Sequence, residues 1–540
     1  MAFSSPGVYV SESKLSSSVR SVNLSSSVAA FFGTSERGPV TPTLIQSWTD
    51  YIVKFGGIST DHDLGYAVYH YFANGGSSAY VTRVVNPYDD TATTGVYYRA
   101  NDTGASTPAV LFNVSAINPG TWGNDITVTV SAGIVELVES TTIPTFNLAV
   151  SYKGVEVERW TELSPLASSS RFVESVINTG SNYITASMYA TITTASASAG
   201  FSYLGGIDGA SVGGVGGTGG AGDTVEDGLV TYYLADGTSS NVCPWEWVHT
   251  SPTNYSVFDL LDLIEGVLII NPVGQSDTDI IAAALAKAVE RGNSIVLIDP
   301  DTSVTDASGF TSQATAYRSM AGVGYGVLCA PMLTMVDPAR SGAYATRRTY
   351  PGGAIAGLYA RTESERTVGK TPAGYGADIR NALGVDIKFK ETEIGTLYDN
   401  GVNCLKQLPG AAVVLFGGRT LERLNPDRYV SVRRSLNYLK QALKDATQFA
   451  VFEPNDERLW SAVNAACGNV LSRFWSSGGL KGTTQQNSYY VICNSSNNTP
   501  STIDNGEVRV EIGVALQQPA EFIVIQISQW TGGSNAVETL

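Results

Sequence analysis

The chain has 540 residues and a formal net charge of −16. This charge argues against nucleic acid or an anionic membrane as the main partner, because both are bound by clustered Lys and Arg. The chain lacks any stretch of the ~18 consecutive apolar residues that a membrane span needs, so we expect no direct membrane insertion. Only 15% of the residues are charged, against about 25% in ordinary soluble proteins, which is typical of assembly proteins whose surfaces are covered by neighbours.

The length of the chain predicts about two to four domains. Its five cysteines are odd in number, and none lie in a Cys-x-x-Cys pair. We therefore interpret them as buried thiols of a protein that folds in a reducing compartment. The first residues lack the basic and apolar regions of a signal peptide, so we expect folding in a cytoplasm without export by the usual route.

The first segment, residues 1–20, is interpreted as an N-terminal arm. A Pro-Gly turn signal precedes Val8, Tyr9 and Val10, which predict a short strand, and a Ser-rich extended stretch follows. A frayed terminus is the alternative that the residues leave open.

Residues 21–90 predict the first part of an α/β core. An apolar strand is predicted at 28–33, short helices at 48–55 and 64–72, and a second strand at 79–85. Glycine pairs follow both helices, as expected at helix ends.

Residues 91–250 differ in composition, because they are rich in Thr, Ser, Gly and Ala and poor in Lys and Arg. Alternating runs at 125–130 and 145–152 predict strands, and 171–179 predicts a helical turn. The glycine-rich run 213–222 predicts a loop. We interpret this block as an inserted β-rich outer domain.

Residues 251–400 predict the second part of the core. A continuous apolar strand at 266–270 leads to a helix at 276–292 and to a second buried strand at 293–299. A strand, a helix and a strand in this order form a βαβ unit, which implies a parallel sheet.

Residues 401–518 predict a C-terminal domain ordered strand, helix, helix, strand. The first strand is expected at 411–416 and the first helix at 432–452, which Pro454 ends. A second amphipathic helix follows, with Asn455 as its expected N-cap.

The end of the chain carries two predicted strands. Strict alternation of apolar residues from Val508 to Leu516 is the period of a strand with one buried face. A second run, from Phe522 to Trp530, lies in the C-terminal arm, residues 519–540. Such a strand can pair with the sheet edge of a neighbouring subunit; alternatively, both strands complete the protein's own sheet.

A local inversion of charge lies in the region 419–444, which contains seven basic and two acidic residues. In the predicted helix, Arg433, Lys440 and Lys444 fall on one stripe, about 100° from the leucine face. Such a stripe is either a solvated helix face or a contact with an acidic partner.

The residue patterns offer no active site. The glycine run lacks the Gly-Lys-Ser/Thr ending of a phosphate loop. His62 and His70 are spaced unsuitably for a shared helical face that could hold a metal. Asp299 follows a parallel strand, where α/β enzymes place function, but it stands alone, and we favour a turn or cap role. We therefore predict no enzyme activity, no cofactor and no metal.

Short motifs follow one another in a specific order along most of the chain. Those in the first half are Pro6 to Glu12, Ala30 to Pro39, Phe72 to Gly76, Asn118 to Asn124 and Gly205 to Gly209. Those in the second half are Pro351 to Thr362, Gly417 to Leu421, Phe452 to Asp456, Asp504 to Gly506 and Pro519 to Ile523. Taken in order, they resemble the contractile tail sheath proteins of bacteriophages and related contractile injection systems.

The resemblance implies a structural subunit and not an enzyme. Sheath subunits stack as hexameric discs around an inner tail tube and contract to drive the tube through a bacterial envelope for genome or effector delivery. Energy is stored at assembly, so no nucleotide is needed. The expected fold is α+β and multidomain: an α/β sheath core, a C-terminal strand–helix–helix–strand domain, an inserted β-rich outer domain, and extended N- and C-terminal β-arms.

The resemblance also implies partners and residue roles. The arms would link subunits through Val8, Tyr9, Val10, Phe522, Ile523, Val524, Ile525 and Ile527. The C-terminal domain would face inward, which makes Arg433, Lys440 and Lys444 candidates for tube contact. Expected partners are copies of the chain, the tail tube protein, and baseplate and tail terminator proteins, in a virion tail assembled in the host bacterial cytoplasm. A non-contractile virion surface or adhesion protein is the alternative.

Overall fold

The computed structural model describes residues 27–85, 93–100, 109–138, 141–188, 201–203, 224–226, 229–233, 248–249, 255–340, 345–410 and 412–521. Two compact units are distinguished by their internal contacts. The core unit comprises the described residues of Asn23–Glu365 and Pro372–Arg428. The C-terminal unit comprises Arg366–Thr371 and the described chain from Tyr429 onward.

The core unit begins with three strands and two helices, close to the predicted bounds. They are β1 (Val28–Gly33), β2 (Thr43–Ile45), α1 (Trp48–Phe55), α2 (Asp63–Ala73) and β3 (Ala79–Arg83). The side chain of Ser47 caps α1 by accepting a hydrogen bond from the Asp50 N–H, and Gly56 ends this helix in the left-handed conformation. The predicted strands and helices of this region are confirmed.

Next follows a region of antiparallel strands. Its elements are β4 (Thr93–Ala100), β5 (Ala109–Ala116), β6 (Ile126–Val138), β7 (Thr141–Tyr152), β8 (Val155–Leu163), α3 (Val173–Gly180), β9 (Ile184–Met188), β10 (Phe201–Tyr203), β11 (Thr224–Glu226), β12 (Leu229–Tyr233), β13 (Val248–His249) and β14 (Tyr255–Ser256). Two sheets have the orders β10-β4-β5-β9 and β11-β12-β6-β7-β8. One apolar cluster that includes Phe112, Phe146 and Ile177 draws on both sheets and α3. The glycine-rich run 213–222 lies outside the described residues.

Two buried arginines join this β-rich region to the core loops. The guanidinium of Arg37 lies 4.5 Å from the centre of the Tyr183 ring, and its Nη2 donates to the carbonyl of Ile52 at 3.2 Å. Arg83 Nη1 donates to the carbonyl of Pro119 at 2.8 Å. Because an always-charged guanidinium can stack and donate at once, each arginine connects parts of the chain that are distant in sequence.

The second part of the core alternates strands and helices. Its elements are β15 (Leu268–Pro272), α4 (Thr278–Arg291), β16 (Ser294–Ile298), α5 (Ala307–Arg318), β17 (Gly326–Ala330), β18 (Leu333–Val336), β19 (Thr346–Thr349), α6 (Gly352–Glu365), β20 (Ala382–Val385), α7 (Glu391–Asp399), β21 (Val402–Gln407) and β22 (Val413–Phe416). The predicted βαβ unit is confirmed, because β15 and β16 pair in parallel and α4 connects them.

Strands from both parts of the core form one eight-stranded sheet with the order β2-β3-β1-β15-β16-β17-β21-β22. The strands from β3 to β21 are parallel, and only the two outermost pairs are antiparallel. Strands β15, β16 and β17 are buried along their whole length, as expected where helices cover both faces of a parallel sheet.

The predicted start of the C-terminal domain at residue 401 is wrong. Strands β21 and β22 pair through Leu405 and Leu415, and β21 also pairs with β17 of the core. Their apolar residues are buried as part of the core sheet, so the boundary comes only at Tyr429.

The C-terminal unit has the order helix, helix, strand, strand. Its elements are α8 (Val430–Thr447), α9 (Glu457–Ser476), α10 (Gln485–Ser488), β23 (Tyr489–Ile492), α11 (Pro500–Asp504) and β24 (Glu511–Val514). The predicted inward face of α9 is confirmed, and its buried residues include Leu459, Val463, Ala466, Val470 and Phe474. Helix α8 ends five residues before its predicted end, because a 3-10 turn and a left-handed Phe452 break the helical path.

Helix α6 lies against α2 at backbone distance. A Cβ added to Gly353 would lie 2.1 Å from the carbonyl oxygen of Ala67, and one added to Gly357 would lie 2.4 Å from that of Tyr71. Only glycine permits this approach of the two helices. Of the helices in the described residues, none is long and apolar enough to cross a membrane.

Candidate functional site

The carboxyl end of β16 carries the buried Asp299, next to the point where the strand order reverses. The chain runs from β1 outward to β3 and later returns on the other side of β1 with β15. Open α/β sheets bind ligands in the crevice at such a reversal. Asp299 therefore lies where an open α/β sheet would hold a ligand.

Asp299 is engaged in structural contacts. Its Oδ2 accepts hydrogen bonds from Asn271 Nδ2 at 3.2 Å and from the Gly274 N–H at 3.0 Å. Its Oδ1 accepts from the Gly352 N–H at 2.8 Å. Gly352 is the first residue of α6, so Asp299 satisfies an amide at a helix start. The predicted cap role is confirmed, in a form that joins two distant segments.

Burial raises the pKa of Asp299 to about 6, although its three donors act in the opposite direction. The carboxyl group is fully buried, and a raised pKa in a cleft can mark a catalytic acid. Here the two oxygens already accept from Asn271 and from two backbone amides, so a structural anchor is the better interpretation.

The described histidines do not form a metal site. His62 Nδ1 lies 3.2 Å from Thr34 Oγ1. His70 is fully buried, neither of its ring nitrogens has a hydrogen-bond partner, and burial lowers its pKa to about 4. Within the described ranges, no group of three or more His, Cys, Asp or Glu could hold a metal ion.

The structure divides the basic region 419–444 between the two units. Arg433 and Arg434 of α8 are only 3% and 2% exposed, whereas Lys440 is half-buried and Lys444 is exposed. The expectation of one exposed stripe is therefore wrong at Arg433. The reason is that the first two turns of α8 are buried on all sides, so helical periodicity alone did not identify the covered face.

The remaining arginines of this region line a cleft in the core unit. The cleft has a volume of about 210 Å³ and is lined by Asp399, Gly401, Arg419, Glu422, Arg423, Leu424 and Arg428. Arg419 lies over the Tyr398 ring at 4.1 Å, and its Nη1 is 3.3 Å from Asp399 Oδ1. We call this feature the arginine cleft.

The C-terminal unit contains a two-stranded antiparallel sheet, β23 with β24. Val508, Val510, Ile512, Val514 and Leu516 all pack against the helical core, so the predicted alternation is confirmed, although only residues 511–514 form a strand. These five side chains remain half-buried. Among the described residues, no further strand joins either outer edge of this pair.

The predicted arms lie outside the described residues. This applies to Val8, Tyr9 and Val10 in the N-terminal arm. It applies equally to Phe522, Ile523, Val524, Ile525 and Ile527 in the C-terminal arm. Their role in linking subunits therefore stays a prediction.

Two stretches of the chain match known protein families. Residues 259–421 match the family described as phage tail sheath protein central domain. Residues 426–529 match the phage tail sheath C-terminal domain. These stretches of the chain are therefore similar to the central and C-terminal domains of phage tail sheath proteins. The two matched stretches meet near the boundary between the core unit and the C-terminal unit.

Sheath-family relatives match this chain over part of its length in sequence and over most of it in fold. The tail sheath protein of Enterobacteria phage T4 is 30% identical over 171 residues, which are 31% of this chain and 25% of that protein. The matched stretch thus spans about a quarter of that relative's length.

Solved sheath structures share the fold at low identity. The contracted helical sheath of the anti-feeding prophage is 18% identical, covers 98% of this chain and 100% of its own, and has a TM-score of 0.54. The sheath tail protein Lin1278 from Listeria innocua is 14% identical, covers 88% of this chain and 90% of its own, and has a TM-score of 0.56.

Two features of the chain were not predicted from its sequence. The sequence showed the basic residues of the arginine cleft but not the cleft itself, because its shape depends on the C-terminus of α7 and on the loop after β22. Phe452 has a φ of 69° and is 87% exposed. One sequence signal could have indicated this left-handed residue: the chain must turn sharply between the end of α8 and Pro454, yet no glycine lies there.

Proposed function

We propose that this chain is the subunit of a contractile tail sheath, stacked as hexameric discs around an inner tube. Contraction would drive the tube through a bacterial envelope and so deliver a genome or effector. The matches to two phage tail sheath domains and the fold shared with solved sheath structures support this proposal. Energy stored at assembly would power contraction, so the subunit itself needs no catalytic site.

The two-stranded sheet β23–β24 is the observation that carries the proposal. Two strands alone are marginally stable in water, and their apolar face is only half-buried here. An open edge is a template for a strand from another chain, which adds main-chain hydrogen bonds and further apolar contacts. The alternating apolar residues of the two arms have the pattern that such a strand needs.

Strand exchange would give the sheath a linkage suited to contraction. In this arrangement the arms of one subunit pair with the sheet of a neighbour, while the core unit and C-terminal unit move as rigid bodies. Interfaces between rigid bodies can change during such a movement while the paired strands stay joined. The network would then survive contraction without dissociation of subunits.

Contact with the tube is assigned to Lys440 and Lys444. Both lie on α8, and Lys444 is exposed. Arg433 is removed from this surface because of its burial. Their positive charges would suit an acidic surface on the tube, since such charges mainly steer and orient association. Baseplate and tail terminator proteins would bind the two ends of the polymer.

Electron microscopy of the purified full-length chain tests the proposal. Hollow helical tubes are expected from the full chain, and soluble subunits from a variant that lacks residues 1–13 and 520–540. Tubes from both proteins would retain the sheath but exclude strand exchange as the linkage. An absence of tubes from the full chain at high concentration, with a tail tube supplied, would refute the sheath assignment.

A point variant tests whether the predicted strand of the C-terminal arm, and not only the length of the arm, is needed for assembly. Ile525→Pro removes a backbone donor and fixes φ within the predicted strand, so we expect loss of tubes. Ser534→Pro lies beyond the predicted strand and is the matched control, which should assemble normally. Equal behaviour of the two variants would contradict pairing through residues 522–530.

A further inference from the structure

The connection between α8 and α9 exposes a strained phenylalanine. Phe452 has a φ of 69°, in the left-handed region, and its side chain is 87% exposed. This conformation is unfavourable for a bulky residue because Cβ approaches the following carbonyl oxygen. Because the ring is exposed, burial of the Phe452 side chain within its own chain does not offset this cost.

The turn around Phe452 is fixed by contacts that do not involve its ring. Asn455 Nδ2 donates to the carbonyl of Glu507 at 3.0 Å, and Asn455 Oδ1 accepts from Trp460 Nε1 at 2.8 Å. Asp456 caps α9 by accepting from the Leu459 N–H at 2.9 Å. The left-handed position after a helix end is usually occupied by glycine. The backbone thus explains the conformation but not the choice of phenylalanine.

Acidic and apolar side chains surround this ring at the surface. Phe449 is 48% exposed, and Glu453, Asp456 and Glu457 are all exposed. We call residues 449–457 the aromatic tip. Strained residues cluster at positions where function requires them, and aromatic anchors dominate the energy of protein interfaces. The tip therefore has the composition of a docking element with negative charge around it.

The arginine cleft has the complementary chemistry. Arg423 is exposed, and Leu424 is 91% exposed at the cleft margin. Glu422 Oε1 accepts from both of their backbone amides, at 2.9 Å and 3.1 Å, which fixes this loop. Burial lowers the pKa of the nearby Arg318, and the positive charge of Arg423 adds to this effect. The cleft lining carries three arginines against Asp399 and Glu422, so it is slightly basic in a chain whose net charge is −16.

We propose that the aromatic tip of one copy docks in the arginine cleft of another copy. The Phe452 ring would lie against guanidinium groups and Leu424, since arginine binds aromatic faces through cation–π and stacking contacts. Glu453 would face Arg423. Tip and cleft are different surfaces, so the contact is heterologous and propagates from copy to copy. This inference rests on the proposed sheath function, because a helical polymer requires such a contact.

The first test separates docking from folding. Phe452→Gly relieves the left-handed strain, so its thermal midpoint should stay unchanged or rise by up to ~4 °C, while its tube yield should fall at least about tenfold. Leu263→Ser is the matched control, since Leu263 is 77% exposed and lies outside both surfaces. The proposal is overturned by normal tube formation in Phe452→Gly, or by a lowered thermal midpoint in this variant.

The second test measures the contact between copies directly and does not depend on tubes. Phe452→Cys protein is mixed with Leu424→Cys protein under mild oxidation, and a disulfide-linked dimer is expected. Leu263→Cys replaces Leu424→Cys in the control, where no dimer should form. The four described native cysteines are buried and should not react. Equal dimer yields in the two mixtures, or no dimer in either, would overturn tip–cleft docking. If the wild-type chain forms no tubes while the specific dimer appears, the sheath function fails and the contact stands.

Discussion

Gly353 offers a sharp test of the packing that organises the core. Replacing it with alanine places a Cβ 2.1 Å from the Ala67 carbonyl oxygen, and contacts under 3.0 Å essentially never occur for real Cβ atoms. The two helices must therefore separate by about 1 Å. The obstacle is backbone, at both the carbonyl carbon and Cα of Ala67, so no side-chain rotation can relieve it.

The expected cost follows from two opposing effects. Overpacking of this kind costs about 1–3 kcal/mol and occasionally more. Alanine is a better helix former than glycine by up to ~1 kcal/mol, but Gly353 lies in the first turn of α6, where this gain is reduced. We therefore expect Gly353→Ala to lower the free energy of unfolding by about 2 kcal/mol.

Gly395 is the matched control for this substitution. It lies in α7, and a Cβ added there would meet nothing within 4 Å. Gly395→Ala should therefore raise the free energy of unfolding by up to ~1 kcal/mol. Urea denaturation of the full-length chain and both variants measures the two effects. The reasoning is refuted if both variants change stability in the same direction, or if Gly353→Ala is the more stable of the two.

Three further predictions concern titration and charge. Burial places the folded pKa of Asp299 at about 6, above its ordinary 3.8. The contribution of the protonated carboxyl group to stability is therefore present below pH 3.8 and is lost, by about 3 kcal/mol, as the pH rises through 6. Asp299→Asn should flatten this fall in the free energy of unfolding, measured by urea denaturation across pH 4–7. Burial lowers the pKa of His70 from 6.5 to about 4. The contribution of the neutral imidazole to stability is therefore present above pH 6.5 and is lost, by a similar ~3 kcal/mol, as the pH falls through 4. His70→Leu should remove this acid sensitivity, and an unchanged dependence of stability on pH in this variant would contradict the burial argument. The double variant Lys440→Glu, Lys444→Glu should weaken sheath assembly on the tube more than self-assembly. Lys481 is an exposed lysine elsewhere in the C-terminal unit, and Lys481→Glu should leave both assemblies unchanged. Equal loss of both assemblies in the double variant would contradict the assignment of tube contact to Lys440 and Lys444.

Some features of this protein were determined by sequence alone. The period of apolar residues identified β1, α1, β15, α4, β16 and both long helices of the C-terminal unit. Composition and net charge argued against nucleic acid as a partner, and the missing lysine argued against a phosphate loop. Each of these inferences depends on local sequence only, because a helix or strand needs just a few consecutive residues to show its period.

The C-terminal boundary required tertiary contacts. Strands β21 and β22 look like the start of a new domain, because a hairpin has the same local pattern in any sheet. Their place depends on β17, which lies more than seventy residues earlier in the chain, and pairing over this distance leaves no local signal.

The two assembly surfaces also depended on the tertiary structure. Arg433 and Arg423 are both basic residues of one sequence region, yet the first is buried in α8 and the second is exposed beside a cleft. Phe452 looks like any apolar residue at a helix end, and only its backbone angle and its exposure single it out. Sequence determined which residues are apolar or charged, whereas packing decided which of them face solvent, because burial depends on neighbours contributed from distant parts of the chain.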